Sequence, residues 1–258
     1  LIRSFTHLFF ARSSSSSSKA IVVEMVGKRG DVALVSMPLP STVYPPVDCP
    51  HEISEILSSH DAISSIRSTI IALTSSFDTQ PKRSYGSFHK IAQCTKPTIV
   101  LVDGDISGVA TELAMSCDII YASDRSTFAL NQILLGSMPG SGGTQRLPRA
   151  VGKSLAMEMI LSGAPISASD AMQAGLISKV LPVHRLLKEG IRLGDRAGEK
   201  SSLIQPMAKE AVSHAFETSL REGLLLEGRL FESTFATEDR REGMVAHVEQ
   251  RKPEWKGQ

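Results

Sequence analysis

Three short runs dominated by aliphatic and β-branched residues, Thr69–Leu73, Thr98–Val102 and Asp118–Tyr121, most constrain what this chain can fold into. Each is too short for an independent helix and lacks the in-out alternation of a half-exposed strand, so each reads as a buried strand. Helical patterns lie between them. One comes earlier, with Ile53, Ile56, Leu57, Ile63 and Ile66 near one stripe. Strand followed by helix, repeated, predicts an α/β architecture.

The remaining segments fit around that frame. Ala20–Val26 and Val32–Met37 flank a turn with Lys28, Arg29 and Gly30 and read as a hairpin. Pro38 to Pro50 also contains Pro40, Pro45 and Pro46, which argues against helix or central strand there. A polar loop runs from Thr74 through Pro81. Beyond Lys153 the chain is mostly helical; Val212, Phe216, Leu220 and Leu224 step every four residues, and Leu230, Phe231 and Phe235 extend a stripe read as core. The expected divisions are an N-terminal arm over 1–18, a core over 19–195 and a helical section over 196–258.

Composition excludes several classes of function. Lys and Arg total 28 against 27 Asp and Glu, a formal net charge of +1, without the basic excess of a nucleic-acid surface. No apolar run reaches the roughly 20 residues of a spanning helix. Cys49, Cys94 and Cys117 form no C-x-x-C pair and read as reduced thiols. Seven scattered histidines, His7, His51, His60, His89, His184, His214 and His247, show no metal-ligand spacing and read as surface or capping groups. No metal site is expected. Leu1 to Ser18 carries Arg3, Arg12 and a serine run with no acid before Glu24, the pattern of an organelle transit peptide, read as mitochondrial rather than chloroplast. A tail of accidental composition is the other reading. If retained, such an arm needs a neighbouring protein or a membrane surface to order it.

Two glycine-rich stretches are the candidates for chemistry. Gly104 to Gly108 follows the second buried strand and precedes a helix expected near Thr111. Gly136 to Gly143, GSMPGSGG, leads into Thr144-Gln145-Arg146-Leu147. A turn of this kind entering a helix offers unpaired N–H groups to an oxyanion or phosphate. Neither stretch matches the dinucleotide or phosphate-loop pattern.

A resemblance attaches to these residues. Lys96-Pro97-Thr98, Gly104, Glu112-Leu113-Ala114-Met115, Cys117–Ala122, Ile133–Gly136, Pro139–Leu147, Ala150–Met159, Ala174-Gly175-Leu176 and Phe235–Met244 are similar to the enoyl-CoA hydratase/isomerase (crotonase) family, above all to its mitochondrial short-chain branch. The resemblance is strong over much of Lys96 to Lys252 and faint before it. It implies a spiral of ββα turns with a helical C-terminal trimerisation region, in trimers or hexamers. It also implies syn addition of water to a 2-enoyl-CoA thioester, with CoA entering as substrate and no other cofactor. In such a site two carboxylates hold the water and two backbone N–H groups hold the thioester oxygen.

This sequence departs from that pattern at several points. Glu112 matches the first carboxylate, but Gln132 stands where the second is usual. An amide has no titratable proton near neutral pH. Val109 stands at the glycine whose N–H serves the oxyanion, adding a β-branched side chain. The loop carrying the second donor is shortened around Ser75–Pro81, and Met37–Ser41 lacks the usual turn into the first helix. Gly108, Gly136, Pro139 and Gly140 are the expected substrate-lining positions. Arg146 is expected to pack or pair rather than touch substrate, Asp118 to be structural, and Arg240-Arg241 to lie on a solvated or intersubunit face. The departures favour an inactive or impaired homologue serving as a structural subunit of a mitochondrial hetero-oligomer or a larger, inner-membrane-associated complex. An active short-chain hydratase working through Glu112 alone, in the matrix, is the alternative. A non-turnover acyl-CoA binder is less attractive, given the shortened loop.

Overall fold

The structure is a computed structural model that describes residues 21–36, 49–74 and 85–258. The expected leader, most of the proline-rich connector and the shortened loop lie outside the described residues.

The hairpin forms as β1 (Val22–Val26) and β2 (Val32–Ser36), antiparallel with Val26 opposite Val32. From β2 the sheet continues in parallel through β3 (Ser68–Leu73), β4 (Thr98–Val102), β6 (Ile119–Ser123) and β9 (Lys179–Leu181), in the order β1-β2-β3-β4-β6-β9. A smaller sheet of β5 (Asp105–Ser107), β7 (Thr127–Ala129) and β8 (Ile166–Ser167) has the order β5-β7-β8. The third apolar run is shifted from expectation: the strand begins at Ile119. Asp118 stays outside it and accepts from Thr98 N at 2.8 Å and Thr98 Oγ1 at 3.0 Å, the structural role expected of it.

Strand pleating explains why the apolar runs are continuous. Val35, Ile71, Leu73, Val100, Val102, Ile120 and Ala122 point to one cluster, while Val32, Leu34, Ile70, Ala72, Ile99, Leu101 and Tyr121 point to another. Each face is covered, so neither set of alternating side chains meets water. On the first face lie α1 (Cys49–Ala62), through Ile53 and Leu57, and α2 (Tyr85–Ala92), through Phe88 and Ile91. Ile106 and Phe128 of the small sheet complete it. On the second face lies the long helix over Val183–Gly198, through Leu186, Leu187 and Ile191.

Two details of α1 differ from expectation. It begins inside the proline-rich stretch, because a proline is tolerated in a first turn whose N–H groups have no intrahelical partner. It ends at Ala62, so Ile63 and Ile66 lie in the loop beyond, the first exposed and the second buried.

The chain then climbs in strand–strand–helix turns. β4 and β5 lead into α3 (Val109–Ala114), which starts two residues before the expected Thr111. β6 and β7 lead through a 3-10 turn (Gln132–Leu135) into α4 (Gly143–Val151), followed by α5 (Lys153–Ser162). The corners of these turns are tied together. Buried Asp103 accepts from Arg125 Nε and Nη2, both at 2.8 Å, and Ser126 Oγ accepts from Gly104 N at 3.1 Å. After β8 come α6 (Ala168–Gln173), β9 and then α7, the Val183–Gly198 helix. α7 runs through the expected division at 195/196.

The C-terminal helices are α8 (Ile204–His214), α9 (Leu220–Thr234) and α10 (Glu238–Val248). Lys209 of α8 reaches Asp118 Oδ2 at 2.6 Å, fastening this section to the sheet. Buried Asp239 accepts from Ser201 Oγ at 2.5 Å and from Lys256 N at 2.7 Å, which folds the last residues back onto α10. The apolar stripe expected to be core is not buried by this chain: Val212, Phe216, Leu220, Leu224, Phe231 and Phe235 are all exposed. Helical spacing reports that a face is apolar and not what covers it. Arg240, half-buried, lies across the same open apolar face, its guanidinium 3.6 Å from the Phe235 ring centre and 5.0 Å from that of Phe231.

His60 is the exception among the described histidines. It is buried, with Nδ1 3.1 Å from Thr69 Oγ1. Cys94 is buried and Cys117 half-buried, and burial pushes each thiol up to about 12. Among the described residues no His, Cys, Asp and Glu cluster could hold a metal, and no helix is long and apolar enough to cross a membrane.

Candidate active site

The site forms where α3, the 3-10 turn and the glycine-rich loop before α4 converge on one carboxylate. α3 is set by Gly108, whose N–H donates to Ala129 O of β7 at 3.0 Å and whose φ of 55° lies in the left-handed region. A side chain there would carry backbone strain and meet Asn131 Oδ1 at 3.3 Å. One turn later stands Glu112, only 1% exposed. Its Oε1 accepts from Ser141 N at 2.7 Å and Gly143 N at 2.8 Å, and its Oε2 accepts from Gln132 Nε2 at 3.0 Å. The glycine-rich loop is thus an anion cradle as the sequence suggests, but the anion it holds is the chain's own carboxylate.

Gly143 is required by proximity: a Cβ there would lie 3.0 Å from Glu112 Oε1, Leu130 Cδ1 and Pro139 Cβ alike. Arg146, one turn into α4, donates from Nη1 to Ser141 O at 2.9 Å and so holds the loop that holds the carboxylate. This is the packing role expected of it. Burial raises the Glu112 pKa, and it outweighs the opposing pull of the Gly143 and Ser141 N–H groups, the Arg146 charge and the Gln132 amide.

The expected site residues come together unequally. Gln132 opens the 3-10 turn and is 4% exposed. Val109 is the first residue of α3, and its side chain packs into the main hydrophobic cluster. Pro139 is buried beside Gly143, whereas Gly136 caps the 3-10 turn at φ 69° and Gly140 is exposed with nothing near its missing side chain. Sequence reasoning did not anticipate Ser141 and Gly143 as donors to Glu112. Nor did it single out Thr111, whose buried Oγ1 has no hydrogen-bond partner among the described residues. Chemically, the site offers one titratable carboxylate beside one amide that keeps its protons.

The sequence profile of the enoyl-CoA hydratase/isomerase family matches residues 69–258. The chain belongs to that family. It is 55% identical over 168 residues to a mitochondrial enoyl-CoA hydratase of Pongo abelii, a match covering 65% of this chain and 58% of that protein. It is 42% identical over 180 residues to the 2,3-dehydroadipyl-CoA hydratase of Escherichia coli, covering 70% and 69% of the two. The chain spans about three fifths of the length of the mitochondrial hydratases it matches. Its structure superposes on an enoyl-CoA hydratase subunit I of Geobacillus kaustophilus with a TM-score of 0.84 at 30% identity, covering 94% of this chain and 100% of that one. The crotonase-like ββα spiral with a helical C-terminal section is therefore the fold of this hydratase homologue.

Proposed function

We propose that this hydratase homologue receives a 2-enoyl-CoA thioester at the Glu112 cleft but is impaired in adding water to it. The observation that carries the reading is the Gln132 amide against the Glu112 carboxylate. Syn hydration takes one proton from water and delivers one to carbon. Glu112 can take the first; Gln132 has none to deliver near neutral pH. The Val109 N–H, among the α3 amides that have no partner within the helix, is the first donor to the thioester oxygen. Gly108, Gly136, Pro139 and Gly140 line the acyl-CoA path, and the chemistry calls for no metal or further cofactor.

In the cell the chain works, on this reading, as a subunit of a mitochondrial trimer or hexamer of crotonase-fold chains, mixed in composition and joined to a larger inner-membrane assembly. Supporting it are the apolar side chains that α8 and α9 leave in the open, Leu220 being 80% exposed, a surface that monomers rarely keep. The mitochondrial name of the Pongo abelii relative points to the same compartment.

Hydration of crotonyl-CoA, followed by loss of its enoyl absorbance, tests the chemistry. Gln132→Glu is expected to be about 100-fold faster than the natural chain, the scale of one positioned acid–base group. Equal and rapid turnover by both would end the reading and favour the alternative, an active hydratase using Glu112 alone, to which the intact Glu112 cradle lends support. Native mass of the complex drawn from mitochondria checks the partner claim: mixed assemblies are expected, and a lone homohexamer would count against it.

A further inference from the structure

Among the described residues, a cavity of about 710 Å³ lies away from the Glu112 cleft. Its size falls in the roughly 300–1,000 Å³ range of small-molecule sites. Asp31 and Arg67, on its walls, stand directly before β2 and β3, so it opens at the N-terminal ends of the parallel strands. Glu112 lies beyond the C-terminal end of β4, at the other end of the sheet.

Three distant stretches of chain build this cavity and hold one another in place. Arg67 N donates to Asp31 O at 2.8 Å, and Arg67 Nη2 donates to Lys200 O, just past α7, at 2.7 Å. Trp255 Nε1 donates to Glu199 O at 2.8 Å. The edge of its ring rests on Gly243 of α10, where an added Cβ would meet it at 3.0 Å. Gly198, the last residue of α7, lets the walls approach: a Cβ there would lie 3.1 Å from Arg67 Cβ and 3.3 Å from Asp31 Oδ2. A guanidinium and an indole are thus positioned before any ligand arrives.

The charges on the walls select the ligand. Arg29 is paired with Asp31 at 3.1 Å. Among the described residues no acid pairs with Arg67, Lys200 or Lys252, and no base pairs with Glu199 or Glu254, which line the same cavity. Three cations against two acids favour an anion, but one of low charge. A phosphate monoester suits the guanidinium, whose planar fork takes two oxygens at once. Half-buried Trp255 offers ring surface to a stacked base. Carboxylates accept well from ribose hydroxyls, and they would repel a second or third phosphate.

We propose that this cavity binds a nucleoside monophosphate, independently of the chemistry at Glu112. The phosphate lies on Arg67 with Lys200 and Lys252, the base on Trp255, and the ribose hydroxyls donate to Glu199 and Glu254.

Trp255 is the single tryptophan of the sequence, so tryptophan emission reports this cavity alone. AMP titrated into the full chain should change that emission saturably. Adenosine and inorganic phosphate, each making only part of the contacts, should bind at least about 10-fold more weakly. Arg67→Gln is expected to weaken AMP about 10-fold, through loss of a charge-assisted pair, and Lys252→Gln about threefold. Circular dichroism checks that each variant folds; should Arg67→Gln not fold, Lys252→Gln decides. Unchanged affinity in the folded variants would place AMP elsewhere on the molecule, and phosphate binding as tightly as AMP would leave the nucleoside no role. Either result overturns the proposal, as does AMP that moves neither the emission nor the heat of a calorimetric titration.

Discussion

Gly143→Ala probes the cradle that fixes Glu112. Gly143 opens α4 with an ordinary helical backbone, so alanine brings no torsional strain there. The added methyl meets three atoms at 3.0 Å, of which Pro139 Cβ belongs to a ring that cannot rotate aside and Glu112 Oε1 is held by hydrogen bonds. Overpacking of this kind costs about 1–3 kcal/mol. Displacing the carboxylate also strains its 2.8 Å bond to Gly143 N, while better helix propensity returns less than about 1 kcal/mol. For a chain of this size each kcal/mol lowers the melting temperature by about 2–4 °C, so a fall of several degrees is expected by circular dichroism. Gly140→Ala is the matched control: no atom lies within 4 Å of its added methyl, and the change should stay within about 0.5 kcal/mol. A Gly143→Ala protein that melts with or above Gly140→Ala would refute the account of the cradle.

Two other changes test the frame around the site. Burial, and next the Lys96 charge, lower the His60 pKa from its ordinary 6.5. Above that value neither folded nor unfolded chain carries the proton; below it the unfolded chain takes the proton first, so stability falls with pH. Urea midpoints should therefore drop more from about pH 7.5 to about pH 5.5 in the natural chain than in His60→Gln, and equal drops would exclude His60. Arg125→Ala removes both donors to buried Asp103 and should cost about 1–3 kcal/mol in urea unfolding. The loss should exceed that from Lys90→Ala at the exposed Glu55 pair, and equal losses would mean that the corner contributes nothing special.

Much of this protein was legible before any tertiary contact was known. Thr98–Val102 announces a strand covered on both faces, because its side chains alternate between two clusters that are both apolar. The GSMPGSGG turn announces an anion cradle, because exposed N–H groups at a helix start follow from the backbone alone. What the cradle holds was not legible, since Glu112 lies 29 residues before Ser141. His60 was read as a surface or capping group because its cover comes from beyond its own helix, from Thr69 of β3 nine residues on and from Lys96.

By itself, then, the order of residues decided which segments are strand and which are helix, and that Gln132 is an amide where the family resemblance implies a second carboxylate. Both are local or compositional properties, set by backbone torsions and by the protons a side chain can release. Only the tertiary structure decided that Glu112, on α3, is held by a loop of its own chain and that Gln132 Oε1 is left without a partner among the described residues. It alone revealed that the stripe from Val212 to Phe235 faces outward. Burial and pairing depend on which distant surfaces meet, and periodicity along a helix is the same whether its apolar face meets its own core or another molecule.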